Sequence, residues 1–380
     1  MGSRTFIIRT IFPTIALSLF IYISHQIFRF AEIDKPILLL GITWVLIITI
    51  MIIILPMMFW MEETRGEKKW HLLLHEIAHL AMGYFSYLLF LVITRDILAF
   101  IFDFISLDLL KYNSNEAAYI IGLPFIFMSL GFLNVKFGPY IKKVKIKIDD
   151  IPSEIQGLKI AQISDLHIGP TVTVDRVKKV VEKTNSITAD IIVLTGDIID
   201  YHVDHFKNEI QELQNLKAKH GVYFITGNHE YFWNYEKTTE AIRKTGIKLL
   251  INETEIIQFN GKKISLSGAS DPMARFFTLP MPNYEKLFSE SQQSDLRIIL
   301  CHQPNQADLV KKFPFHLQLS GHTHRGQFIP WSLMIRVFQK YTGGLFTLGK
   351  LKLYVNQGTG FWGPPDRFGT YCEITSIELT

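Results

Sequence analysis

The chain has 380 residues, a formal net charge of +4 and a hydrophobic content of 48%. This length accommodates two domains, and so small a net charge gives no reason to expect nucleic acid as a partner. With only Cys301 and Cys372, the sequence excludes a disulfide framework and agrees with a reducing compartment.

Apolar residues are unevenly distributed along the chain. Long apolar runs dominate up to about residue 140, and beyond it charged and apolar residues alternate as they do in globular domains. The sequence therefore predicts a transmembrane domain over residues 1–140 and a globular domain over residues 141–380.

Four segments of the first domain are long and apolar enough to cross a bilayer as helices. Arg4 and Arg9 precede the first segment, as in a signal peptide, but no small-residue cleavage site follows it, so we expect it to be retained. The four predicted spans are residues 11–30, 36–60, 71–94 and 117–133.

The distribution of Lys and Arg predicts the orientation of these spans. With four spans, the more basic side carries both termini, so the protein is predicted to be a multi-pass protein of the cell membrane whose second domain is cytoplasmic. An odd number of spans would reverse this predicted orientation. Lys142, Lys143, Lys145 and Lys147 follow the last span. They indicate either a patch that contacts anionic membrane lipids or only a topology signal.

The second domain alternates between short apolar strands and amphipathic helices, which is typical of an α/β domain with functional loops at the carboxyl ends of its strands. Two β-rich stretches, 248–267 and 350–379, favour a layered sandwich with helices outside two sheets. The predicted strands are 158–163, 190–194, 222–225, 296–300 and 317–319, and the predicted helices are 174–185 and 208–219.

Polar motifs follow five of these strands. Residues two apart in an extended chain point the same way, so Asp165 and His167 are expected to converge. Glycine allows the backbone to turn before Asp197. The five motifs are Asp165-Leu166-His167, Gly196-Asp197, Gly227-Asn228-His229-Glu230, His302 and Gly321-His322-Thr323-His324.

This ordered set resembles the calcineurin-like metallophosphoesterase family. The resemblance implies a four-layer α/β/β/α sandwich that binds two divalent metal ions through seven side chains, with the residue at Asp197 bridging both ions. It assigns Asp165, His167, Asp197 and His324 to the first metal, and Asp197, Asn228, His302 and His322 to the second.

The residue types agree with that implication. Two divalent ions about 3.5–4 Å apart repel each other, so a carboxylate shared between them is a reasonable requirement, and the ions would lower the pKa of a water poised to attack phosphorus. Carboxylate, amide and imidazole ligands suit Mn, Fe or Zn without selecting among them. His229 next to Asn228 is expected to face the substrate as the general acid.

The resemblance also narrows the type of phosphoesterase. Protein phosphatases of the superfamily carry Arg where this chain has Thr226, so that activity is disfavoured. The run 321–327 and the stretch 356–360 look more like bacterial membrane-associated phosphohydrolases, some of which cleave lipid-linked or nucleotide-sugar pyrophosphates. Arg325 is a candidate for binding a substrate phosphate, or is a solvated loop residue.

The predicted function is therefore metal-dependent hydrolysis of a phosphodiester or pyrophosphate bond, with a lipid-linked phosphate as a candidate substrate because the site follows the last span closely. The alternative is a catalytically silent membrane module that keeps the metal fold for sensing or scaffolding. The intact set of ligands and His229 favour the enzyme. The oligomeric state is left open.

A second motif lies in the third predicted span. His75 and His79 with Glu76 satisfy H-E-x-x-H, and His71 adds a third imidazole on the same helical face. The alternatives are a zinc protease, an accessory metal or proton site, and a polar patch at the membrane interface. The last is favoured because the motif begins the span, where polar groups are tolerated.

Overall fold

In this computed structural model, the described residues are 12–28, 35–61, 69–105 and 116–380. They divide into two compact units. The helical unit contains the described residues up to Leu133 together with Gly363–Phe368, and the sandwich unit contains Asn134–Trp362 and Gly369–Thr380.

Four helices occupy the four predicted spans. Two stretches among the described residues are long and apolar enough to cross a membrane, Leu73–Phe104 and Glu116–Phe137, whereas Pro13–Phe28 and Leu38–Ile53 are shorter. By length and composition, two of the four predicted spans could therefore cross a membrane, and an arrangement with four spans stays a prediction. The helices are α1 (Phe12–Phe28), α2 (Lys35–Met61), α3 (Lys69–Phe104) and α4 (Glu116–Phe137).

The six-residue segment Gly363–Phe368 packs among these helices. Tyr87 Oη of α3 donates to Asp366 Oδ2 at 2.8 Å, and the Phe368 ring stacks on Phe127 of α4 with centroids 4.7 Å apart. A Cβ atom at Gly131 would collide with the Asp366 carboxyl group, so only glycine permits this close approach. A segment from near the end of the chain is therefore fixed within the helical unit.

The sandwich unit contains two six-stranded sheets. Strand order is β1-β12-β2-β3-β4-β5 in the first sheet and β10-β11-β9-β8-β7-β6 in the second. The strands are β1 (Tyr140–Ile146), β2 (Lys159–Ile163), β3 (Ile191–Thr195), β4 (Val222–Ile225), β5 (Lys248–Leu249), β6 (Glu253–Phe259), β7 (Lys262–Gly268), β8 (Leu296–Leu300), β9 (Leu317–Ser320), β10 (Gly344–Leu348), β11 (Leu351–Val355) and β12 (Glu373–Leu379).

Helices cover the outer faces of the sheets. The predicted helix at 208–219 is shorter than expected, because α6 ends at Glu212 and gives way to a 3₁₀ turn over Leu213–Asn215. Such turns are common at helix ends. The helices are α5 (Val174–Asn185), α6 (Lys207–Glu212), α7 (His229–Phe232), α8 (Tyr235–Lys244), α9 (Tyr284–Ser291), α10 (Ala307–Val310) and α11 (Trp331–Phe338).

Three apolar cores hold the layers together. The central core lies between the sheets and includes Ile191 and Ile298. A second core packs α5 against the first sheet, and a third packs α9 and α10 against the second sheet. Strands β2–β5 run parallel, as do β7, β8, β9 and β11. In each sheet the carboxyl ends of these strands therefore lie along one edge. This confirms the predicted α/β sandwich.

Two isoleucines of the second sheet give a matched test of this core. Ile298 on β8 is 0% exposed, whereas Ile256 on the edge strand β6 is 43% exposed. Ile298→Ala should lower the free energy of unfolding by roughly 2–5 kcal/mol, because it leaves a cavity that the sheets cannot close. Ile256→Ala should lower it much less. Urea unfolding in detergent measures both, and equal losses would contradict the layer assignment.

Candidate metal centre

Five loops at the carboxyl ends of parallel strands deliver the predicted ligands. In the first sheet, Asp165 follows β2, Asp197 follows β3 and Asn228 follows β4. The second sheet contributes His302 after β8, and His322 and His324 after β9. Because each sheet presents these ends at one edge, side chains far apart in sequence meet at one place.

The first group of ligand atoms comes from Asp165, His167 and His324, which lie within 4.8 Å of one another and are buried. His167 Nε2 and His324 Nε2 are 3.0 Å apart, and His324 Nε2 is 3.4 Å from Asp165 Oδ1. Two ring nitrogens that face each other this closely need a proton or a cation between them. A carboxylate beside them favours a cation.

The second group comes from Asp197, His302 and His322. His302 Nε2 lies 3.0 Å from Asp197 Oδ2 and 3.2 Å from His322 Nδ1. His302 Nδ1 is 2.8 Å from the carbonyl oxygen of Thr195. It must donate to that oxygen, which fixes the tautomer and leaves Nε2 free to bind a metal.

Asn228 completes the predicted set. Its Oδ1 atom is buried and accepts no hydrogen bond from the described residues. A buried amide oxygen without a donor is costly unless a bound group satisfies it. The donor atoms therefore fit two divalent ions, although their chemistry does not choose among Mn, Fe and Zn. The assignment of each side chain to one ion stays a prediction.

The backbone around these ligands is left-handed, not extended as the sequence suggested. Non-glycine residues rarely adopt positive φ, and each instance costs of order 1–3 kcal/mol unless its surroundings hold it in place. Positive φ occurs at Asp165 (52°), His167 (53°), Asp197 (51°), His322 (74°) and His324 (48°).

Two glycines of the motifs allow the loops to approach one another. A Cβ atom at Gly227 would collide with the carboxyl group of Asp197, and one at Gly321 would collide with that of Asp165. His322 N, which follows Gly321, donates to both oxygens of Asp165 at 2.9 and 3.0 Å. Glycine is thus required where backbone and carboxylate meet.

Glu230 is part of the quoted motif but received no predicted role. Its buried carboxylate accepts hydrogen bonds from the backbone of Asp197 at 3.0 Å, Ile198 at 2.7 Å, Ile199 at 3.1 Å and Gly227 at 2.7 Å. Burial and the charge of Asp197 raise the pKa of Glu230 to about 7. Glu230 therefore joins the loops after β3 and β4 and fixes the position of Asp197.

Asp200 also lies at the site and was not predicted. It accepts hydrogen bonds from His229 Nδ1 and, at 3.0 Å, from Trp233 Nε1, and its Oδ2 is 3.3 Å from His167 Nδ1. Burial opposes ionisation of Asp200, but the charge of His229 and these hydrogen bonds keep its pKa well below the usual range. Asp200 lies three residues after Asp197, in the run Gly196-Asp197-Ile198-Ile199-Asp200.

His229 begins α7 and faces the same site. Its backbone nitrogen donates to Asp197 Oδ1 at 2.9 Å, and its Nε2 is 3.9 Å from Asp197 Oδ2. Burial lowers the pKa of His229, but the charges of Asp200 and Asp197 outweigh it and raise that pKa to about 9. His167, Asp200 and His229 also form a third group of potential ligand atoms within 4.8 Å. The role of general acid therefore stays a prediction.

The remaining candidates are not members of these groups. Arg325 is exposed, and its guanidinium makes no hydrogen bond or ion pair within the described part of the chain. In the H-E-x-x-H motif, the rings of His75 and His79 are 4.3 Å apart, but neither belongs to a potential metal group among the described residues. The side chain of His71 lies outside the described residues.

Comparisons with known proteins agree with this geometry. Residues 158–326 match the calcineurin-like phosphoesterase family. A metallophosphoesterase of Campylobacter jejuni is 31% identical over 73% of this chain and 76% of its own length, and one of Helicobacter pylori is 30% identical over 79% and 80%. A Danio rerio transmembrane protein with metallophosphoesterase domain is 31% identical over 66% of this chain and 59% of its own length.

This chain belongs to the calcineurin-like metallophosphoesterases, and it is a metal-dependent phosphoesterase. The family identifies the chemistry, and the two groups of potential ligands are where this chain can hold its metals.

Substituting Glu230 tests the support of Asp197. Each carboxylate oxygen of Glu230 accepts two backbone N–H groups. Glu230→Gln replaces one of these oxygens with an amide NH₂ group, which donates hydrogen bonds, so we expect metal affinity to fall roughly 10–100-fold. Glu236→Gln, an exposed change on α8, is the control and should leave affinity unchanged. Competition with a chelator measures the affinity. Wild-type affinity in Glu230→Gln would show that these hydrogen bonds do not hold the site.

Proposed function

We propose that this chain is a membrane-anchored phosphohydrolase that uses two metal ions to cleave a phosphodiester or pyrophosphate bond in an amphiphilic, lipid-linked substrate. The observation that carries the proposal is the meeting of two groups of potential metal ligands and one imidazole, His229, at the shared edge of the sheets. When bound, the ions would neutralise phosphate charge and activate the attacking water.

In this proposal, His229 supplies the proton. Asp200 binds Nδ1 and holds the ring, so Nε2 remains available to donate to the leaving oxygen. The charges of Asp200 and Asp197 raise the pKa of His229 and so favour the protonated ring. An alkoxide is a poor leaving group and therefore needs this proton most.

Aromatic side chains beside His229 support an apolar substrate. The Trp362 ring lies 6.0 Å from the His229 ring and Phe232 lies 5.6 Å from it, while Phe277 is 6.3 Å from Phe232. Trp362 is 48% exposed, and Phe232 and Phe277 are each 41% exposed. Large apolar side chains that remain open to solvent around a polar site mark a surface for an apolar ligand.

The membrane anchor supports the same class of substrate. Two helices are candidate spans, and the Asp165 loop follows the end of α4 within thirty residues. A tether this short concentrates an enzyme on substrates that are confined to the same surface and does little for soluble ones. Lys142 to Lys147, in and beside β1, would then lie near anionic headgroups on the cytoplasmic side.

The pH dependence tests the role of His229. The charges of Asp200 and Asp197 raise the pKa of His229, so they favour the acid form, which is lost as the pH rises through that raised value. Asp200→Asn removes the charge that raises this pKa most, so for an alkyl phosphodiester the alkaline limb of kcat/KM should move to lower pH.

Asp204→Asn, a change of an exposed carboxylate that pairs with Lys237, should not move this limb. Metal content is measured in parallel. An unshifted limb in Asp200→Asn, or a loss of activity that only follows a loss of metal, would contradict the role of His229 as general acid.

Matched substrates test the amphiphilic class. One pair of substrates consists of diphosphates and the other of phosphodiesters, and the two compounds of each pair differ only in carrying a methyl or a dodecyl group. The dodecyl compound should have a kcat/KM at least roughly tenfold higher, because it buries apolar surface. Trp362→Ala should lose most of this preference and keep its rate on the methyl compound. Equal kcat/KM for both compounds in the wild-type protein would contradict an amphiphilic substrate.

A further inference from the structure

The helix α11 presents an apolar face to solvent. It follows the loop that carries His322 and His324, and none of its eight residues is buried. Leu333 is 61% exposed, Val337 is 80% exposed and Phe338 is 69% exposed, and Trp331 and Met334 are exposed as well. A helix of a soluble domain normally buries such side chains.

The exposed apolar side chains lie on one side of α11. At 3.6 residues per turn they cover a continuous arc of roughly 160°. The opposite side packs on the unit, since Ser332 and Ile335 are half-buried, and Ser332 N donates to the carbonyl oxygen of Phe328 at 2.9 Å. Phe328 is itself buried. The helix is therefore anchored on one side and apolar on the other.

The chain segment that contains α11 carries basic residues and no acidic ones. Residues 325–365 contain no Asp or Glu. Arg336 on the helix is exposed, and its guanidinium has no partner among the described residues, whereas Lys340 pairs with Asp308. The basic residues of this stretch are Arg325, Arg336, Lys340, Lys350 and Lys352.

We propose that α11 is an interfacial helix that inserts its apolar face into an anionic bilayer. A helix with Trp, Leu and Phe on one face and the unpaired, exposed Arg336 beside it has the composition of peptides that lie in the headgroup region. Anionic lipid complements the charge of residues 325–365, whereas a second copy of the same surface would be repelled by it. The occupant is thus a lipid surface.

In this proposal the sandwich unit contacts the membrane through α11, in addition to the anchor that the helical unit provides. Residues 325–330 alone separate α11 from His324, so insertion of α11 would hold the loop of two candidate metal ligands at the membrane surface. The inference rests on the exposure and charge of α11 and does not depend on the identity of the substrate.

A spin label on α11 measures its depth in a bilayer. Val337→Cys is suitable because Cys301 and Cys372 are both buried, and Gln214→Cys, at an exposed position beside α6, is the control. The full-length protein is placed in nanodiscs of phosphatidylcholine with or without phosphatidylglycerol. With the anionic lipid, the label at residue 337 should become more accessible to oxygen than to a water-soluble nickel complex, while the control stays in water.

Three results would overturn the proposal. The label at residue 337 could be as accessible to nickel as the control in anionic nanodiscs. It could show spin–spin broadening, which would indicate a second copy of the chain. It could be shielded from both oxygen and nickel, which would indicate a protein contact.

The double change Val337→Asp with Phe338→Asp provides an activity test. On vesicles that contain phosphatidylglycerol and a dodecyl phosphodiester, turnover should fall roughly tenfold because insertion of carboxylates is unfavourable. The rate on the soluble methyl phosphodiester should not change. An equal loss on both would mean that α11 only supports the fold, and no loss on either would mean that it does not insert.

Discussion

The carboxylate of Asp197 is the group on which the rest of the site depends. Its Oδ2 atom contacts His302, and its Oδ1 atom accepts the backbone N–H of His229, so one side chain joins the loops after β3, β4 and β8. Its charge also acts on Asp165 and His167 of the other ligand group. In the proposed site, Asp197 is the anion that two divalent cations would share, which would offset their mutual repulsion.

The backbone conformation that positions this carboxylate is energetically unfavourable. Asp197 and four other candidate ligands have positive φ, which only a well-packed surrounding can sustain. That surrounding includes the four hydrogen bonds of Glu230 and the absence of a side chain at Gly227. Parallel strands in two sheets supply the framework, because their carboxyl ends meet where the loops must converge.

The sequence predicted the sandwich and the order of the ligand motifs, because apolar periodicity and short motifs are local properties. It could not reveal the left-handed backbone of Asp165 and His167, since dihedral angles there are imposed by tertiary contacts. The role of Asp200 depends on its contacts with His229 and His167, and the packing of Gly363–Phe368 in the helical unit depends on contacts with residues far away in the chain. An apolar run such as α11 predicts a buried helix, and only the tertiary structure reveals that it is exposed.

The most direct test of the shared carboxylate is the metal content of the purified chain loaded with Mn²⁺, measured together with its electron paramagnetic resonance spectrum. Wild-type protein should hold two ions per chain with a spectrum of exchange-coupled Mn²⁺, and Asp197→Asn should lose the coupling and at least one ion. One ion in the wild-type chain, or two coupled ions in Asp197→Asn, would contradict a bridge at Asp197.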